Sequence, residues 1–159
     1  MLKDFEIENA KKTFKWICDD DFQRLFVMQD KPSYEEHIKH FKKVLEDKTQ
    51  KIYAIFYNDN HIGNCGLKYI KDTTSHLWIY IGDNNYRGKH LSKSACLELI
   101  NKAKKIGIKT IFLHVLKTNI PAIKLYQSVG FVEIPADSED EKIWSDKLSL
   151  LTKYQFVVE

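Results

Sequence analysis

The sequence predicts one α/β (α+β) domain spanning residues 1–159, a mixed, mostly antiparallel sheet flanked by helices. Three observations carry that expectation. Short runs of alternating apolar and polar residues, separated by polar turns, fill residues 52–81 in the manner of half-buried strands of a meander. The spacing then becomes helical: from Gly88 onward Leu91, Ala95, Leu99, Ala103 and Ile106 share one face, and Lys93, Lys102, Lys104 and Lys105 the other. Thr110 to Leu116 follows as a continuous apolar and β-branched run, the pattern of a strand buried on both faces.

The remaining elements follow from local chemistry. Residues 8–26 place Phe14, Ile17 and Cys18 at helical spacing before the run Asp19-Asp20-Asp21, which predicts two short helices or a helix and a loop. Ser33-Tyr34-Glu35-Glu36 has the form in which a hydroxyl and a carboxylate each take a free amide of a helix's first turn; Ile38, Phe41, Val44 and Leu45 form the apolar stripe behind it. Ile52, Ala54 and Phe56 alternate with Tyr53, Ile55 and Tyr57, and Asn58-Asp59-Asn60 supplies the turn of a hairpin. Lys71 to Thr74 forms the next turn, before His76 to Ile81. Gly107 ends the long helix. Pro121 opens another, where its missing N–H costs no hydrogen bond; Ala122, Leu125, Tyr126 and Val129 form its stripe and Gly130 stops it. Residues 131–158 read as two strands around an acidic loop, Asp137 to Glu141.

Composition narrows the function. A formal charge of +3 with lysines spread along one helix does not suggest nucleic-acid binding. The charged start, with no apolar run near the roughly 20 residues that cross a bilayer, predicts a cytoplasmic protein without a membrane partner. Cys18, Cys65 and Cys96 lack zinc-ligand spacing, so no metal is expected.

Chemistry concentrates in two stretches. Asp83 to Ser92 leaves a strand and enters the long helix; free amides at a helix N-terminus bind anions, and Arg87 and Lys89 add charge. A solvated basic turn accounts for this segment equally well when it is taken alone. The second stretch is Asn119-Ile120-Pro121-Ala122-Ile123-Lys124-Leu125-Tyr126-Gln127-Ser128-Val129-Gly130-Phe131. Its Asn-x-x-Ala-x-x-Leu-Tyr-x-x-x-Gly-Phe pattern resembles the second acetyl-CoA motif of the GNAT superfamily of N-acetyltransferases, and the Arg87 loop resembles the first. Where that first motif usually carries glycines, this chain has His90 and Ser92, which can serve if their φ angles are negative.

The resemblance implies acetyl-CoA as cofactor, held in a cleft between two splayed strands. Arg87, Gly88, Lys89, His90, Leu91 and Ser92 would meet the pyrophosphate, main-chain groups at Ile79, Tyr80 and Ile81 the pantetheine arm, and Asn119 and Ala122 further parts of the cofactor. It implies direct transfer to an amine, with the Tyr126 phenol protonating the departing thiolate. His76, which shares a strand face with Trp78 and Tyr80 and titrates near neutrality, is the candidate base, while His114 reads as a core histidine. Phe14-Lys15-Trp16 is similar to the opening of the ribosomal-protein and amino-sugar N-acetyltransferase subgroup. This favours a small-molecule amine, an amino sugar carried on a nucleotide, meeting Trp16, Arg24, Asn64 and Trp78. A protein N-terminus, a polyamine or a non-catalytic CoA-binding role stay open, as does a homodimer through the late strands.

Overall fold

The computed structural model describes residues 1–28 and 30–159. Strands β1 (Leu2–Asp4), β2 (Lys51–Tyr57), β3 (Asn60–Lys71), β4 (Thr74–Ile81), β5 (Thr110–Leu116), β6 (Val132–Ile134) and β7 (Leu151–Val157) form one sheet. Its order is β1-β2-β3-β4-β5-β7-β6. Every neighbouring pair is antiparallel except β4 and β5. The hairpin between β2 and β3 turns through Asn58 and Asp59, whose φ angles of 48° and 63° suit the twist of a tight hairpin.

The helices are α1 (Asn9–Ile17), α2 (Asp20–Leu25), α3 (Tyr34–Glu46), α4 (Leu91–Lys105), α5 (Ile120–Val129) and α6 (Ser138–Trp144). They bury the two faces of the sheet separately. On one, Ala95, Leu99 and Ala103 of α4 pack with Ile62, Leu77, Ile79, Ile111 and Leu113. On the other, Ala10 of α1 and Phe41 and Val44 of α3 pack with Phe5, Ile52 and Ala54. Alternation along β4 therefore sends Leu77, Ile79 and Ile81 to the first core and leaves Trp78 against the second. Trp16 of α1 lies against Gly82, where any Cβ would run into its indole. That contact fixes α1 to the end of β4.

Several expectations need correcting. In α3, Ile38, Phe41 and Val44 pack against the second core as expected and His37 joins them, whereas Leu45 falls off the buried face and is 41% exposed. In β5, Ile111, Leu113 and Val115 are buried, whereas the opposite face is only partly covered. The long helix begins at Leu91, since Gly88 and His90 have positive φ. The acidic run after Asp137 is helix α6: Asp137 and Asp140 each accept from the other's backbone amide, a capping box built from two aspartates.

Candidate functional site

Strands β4 and β5 pair only at Thr74↔Thr110, Ser75↔Ile111 and His76↔Phe112. Beyond that point each keeps its outer neighbour: β4 follows β3 to Ile81↔Gly63, and β5 follows β7 to Leu116↔Leu151. Two strand edges therefore face one another across a widening gap in the middle of a sheet. Such a gap accepts an extended chain with alternating donors and acceptors. The Ile81 carbonyl is already engaged, accepting from Arg87 Nε at 3.0 Å.

The turn that closes this gap is short and open. Asp83 accepts from the amide of Asn85 at 3.0 Å and starts a single 3-10 turn, Asn84–Tyr86. Gly88 and His90, at φ 73° and 60°, then swing the chain into α4. No side chain caps α4, and the amides of Gly88 through Lys93 find no acceptor among the described residues. Arg87 and Lys89 are exposed beside them. The condition of a negative φ is thus not met at His90, which stands in the left-handed conformation that glycine favours. Ser92 lies in the first turn of the helix, and its hydroxyl makes no hydrogen bond among the described residues.

Helix α5 adds the second motif. Asn119 Oδ1 accepts from the amide of Ala122 at 3.4 Å, a long N-cap bond. Tyr126 is buried, its ring 5.7 Å from that of Phe131. Burial pushes its phenol well up, and Cys96 of α4 adds to the effect. The Tyr126 hydroxyl makes no hydrogen bond among the described residues.

The other face of β4 borders a cavity of about 440 Å³ walled by Phe22, Phe26, Phe41, Trp78, Tyr80 and Trp144, with Lys68 among them. The rings of Phe22 and Phe26 stack 4.5 Å apart, and Phe22 meets Tyr80 edge-on at 4.7 Å. Of the residues expected to meet an acceptor, Trp78 lines this cavity. Asn64 is buried behind it, donating to Tyr80 Oη at 2.7 Å and Thr13 Oγ1 at 2.8 Å, with His61 Nε2 2.8 Å from its oxygen. Trp16 stands edge-on to His61. Arg24 is exposed and faces Asp21 at 3.8 Å, away from the cavity wall.

His76 occupies the last paired position before the strands part. Its ring lies nearly parallel to that of His114, 5.6 Å away. Burial, with the charges of His114, Lys68 and Lys153 working against that of Asp140, brings it down to about 4. His114 is more than a core histidine. Its Nε2 lies 3.0 Å from Asp140 Oδ1, although out of line for a well-directed hydrogen bond. Lys153 Nζ meets the other oxygen of Asp140 at 2.7 Å. Burial opposes ionisation of Asp140, yet the Lys153 hydrogen bond, the Asp137 amide and the charges of His114 and Lys153 together hold its carboxyl below the usual range. Sequence reasoning missed this cluster because Asp140 was placed in a loop; the Asp-x-x-Asp spacing of its capping box was the available signal. Lys68 and Trp144 were missed as well. Among the described residues no group of side chains could hold a metal ion, and no helix is long and apolar enough to cross a membrane.

Comparison with known proteins shows a family and a fold. Residues 12–131 match the model of the Acetyltransferase (GNAT) family. The chain is 23% identical over 155 residues to the uncharacterized protein MJ1062 of Methanocaldococcus jannaschii, covering 89% of this chain and 32% of that one. It therefore spans about a third of that relative's length. It is 26% identical over 142 residues to the acetyltransferase PseH of Campylobacter jejuni, covering 87% and 88%. The structure of PseH in complex with acetyl coenzyme A superposes with a TM-score of 0.73 at 20% identity, over 100% and 99% of the two chains. Spermidine N-acetyltransferase from Vibrio cholerae, in complex with CoA and spermine, superposes with a TM-score of 0.84 at 16% identity, over 99% and 94%.

Two outcomes are expected. A side chain held in the left-handed region costs roughly 1–2 kcal/mol that glycine avoids. Urea unfolding should therefore show His90→Gly to be more stable than the parent by about 1 kcal/mol, and equal or lower stability would show that the His90 side chain compensates. Stability should also fall between pH 6.5 and about 4: the unfolded chain protonates His76 near its ordinary 6.5, while the folded chain resists until about 4. A flat stability profile across that window would contradict the burial of a neutral His76.

Proposed function

Because the chain belongs to the acetyltransferase (GNAT) family, we propose that it moves an acetyl group from acetyl-CoA directly to a primary amine, borne by a nucleotide-linked amino sugar. The observation that carries this reading is the parting of β4 and β5 above a turn whose amides have no acceptor. An extended pantetheine arm fits the strand edges, with Ile79 contributing main-chain partners, whereas the main chain of Tyr80 turns the other way, toward Asn64 of β3. The diphosphate fits the amides from Gly88 to Lys93 at the positive end of α4, with Arg87 and Lys89 close by. Asn119 and Ala122 border the same end. The open turn weighs against a binding role lost through the replacement of glycines by His90 and Ser92.

The acceptor amine attacks the thioester carbonyl, a C–N bond forms and the C–S bond breaks. His76 takes the amine proton, directly or through water. Burial keeps it neutral down to about 4 but also makes it a weak base. The proton it takes is therefore that of the nitrogen already bonded to the carbonyl carbon, which is far more acidic than that of the free ammonium. Tyr126 gives its proton to the departing sulfur. Burial makes that phenol a weaker acid, contrary to what donation to an ordinary thiolate requires. Loss of solvation also makes a thiolate more basic, so a CoA sulfur released beside the same apolar side chains is shifted in the compensating direction from the reference values of about 10 and 8.5.

The aromatic walls of the cavity suit a sugar or base. Polyamine acceptance, the second reading, rests on the likeness to spermidine N-acetyltransferase. It is less well served, because the cavity wall presents Lys68 and the acidic clusters lie elsewhere. Asp19 caps α2, Asp20 pairs with Lys31 at 2.6 Å, and Asp140 is committed to Lys153. Peptide N-termini remain a further class of primary amine for direct trial. A cytoplasmic location and self-association along the free edge of β6, where Val132 is 63% exposed, belong to the same reading.

Thiol release from acetyl-CoA across amino-sugar nucleotides, polyamines and peptides tests the proposal, with nucleotide-linked amino sugars expected to turn over fastest. Tyr126→Phe should retain CoA affinity and lose ~10²- to 10⁴-fold in kcat. Silence toward every amine despite CoA binding, or an unchanged kcat in the Phe variant, would reject the corresponding part.

A further inference from the structure

Charges drawn partly out of water in folded proteins are normally paired, and the cavity wall contains a partly buried one, Lys68, that is not. Lys153 meets Asp140 at 2.7 Å and Asp137 at 3.7 Å. Lys68, close to the same histidines, has no carboxylate within ion-pair distance among the described residues. Its ammonium meets only the rings of Tyr69 and Trp144, at 5.3 and 5.6 Å. Burial pulls its proton affinity down, with no counter-charge opposing it. The one carboxylate lining the cavity, Asp47, already accepts from the amide and hydroxyl of Thr49 and from Gln50. The Trp144 indole N–H, in the same wall, is buried with no acceptor. Two donors of this wall, the Lys68 ammonium and the Trp144 indole, thus lack an acceptor among the described residues.

Position supports a role in binding. Lys68 lies across from His76, the residue at which β4 leaves β5, and the register of β3 breaks immediately after it, with Tyr69 held at φ 52°. Such irregularities re-aim side chains next to functional sites. We propose that Lys68 receives an anionic oxygen group of the acceptor, a phosphate or a carboxylate, and so selects acceptors bearing negative charge near the reacting amine. The inference rests on the acetyl-transfer reading for its meaning, because it assigns the substrate class of that same site.

The test uses tryptophan fluorescence, since Trp78 and Trp144 line the cavity, on protein saturated with CoA so that the turn before α4 is occupied. Inorganic pyrophosphate, uridine diphosphate and succinate are titrated into the parent, Lys68→Met and Lys68→Arg. At least one probe should bind the parent saturably, bind Lys68→Met at least tenfold more weakly, and recover in Lys68→Arg. Whether phosphate or carboxylate probes respond identifies the source of the charge. Equal affinity of parent and Lys68→Met for all three, or no saturable binding to the parent, overturns the inference. Binding through Lys68 without acetylation of any amine carrying that group would leave the anion site standing and overturn the acetyl-transfer reading instead.

Discussion

The structure turns on two adjacent strands that pair for three residues and then part. Main-chain groups in the interior of a sheet are ordinarily satisfied by neighbouring strands. Here β4 keeps β3 and β5 keeps β7, so the edges they turn toward each other lack partners. The gap persists because both outer pairings continue past it, and because α4 packs beneath through Ala95, Leu99 and Ala103. The cost of two unpaired edges inside a sheet is offset only by something that can pair with both.

The two faces of β4 divide the work. Main-chain atoms and the turn before α4 form a surface of unpaired groups, and the proposed binding of an extended arm and an anion there requires no particular side chain, so His90 can stand where glycine is usual. Side chains dominate the other face: an aromatic wall, a histidine pair and a buried Lys153–Asp140 contact meet where the strands separate. Such a buried pair adds little net stability, but breaking it exposes an uncompensated charge, so it holds α6 against β7 and His114 at a fixed distance from Asp140.

Much of the fold was legible because it depends on local rules. The Ser33 capping box, the Asn58-Asp59 turn, the helical stripe of α4 and the Pro121 to Gly130 helix each follow from a few neighbouring residues. The splayed strands came from motif resemblance, since no local pattern encodes a pairing that fails. The acceptor side was poorly legible for a related reason. Lys68, Trp144 and Asp140 come together through register and through a helix whose aspartate capping box looked like a loop. Arg24 illustrates the converse, a cation in a promising segment that simply faces solvent beside Asp21.

Amide hydrogen exchange with and without CoA addresses the central claim directly, because it reports main-chain pairing residue by residue. The account predicts that CoA slows exchange at Ile79 to Ile81 and at Gly88 to Lys93, with little change along β1 and β2. Protection confined to other elements, or none at saturating CoA, would contradict it.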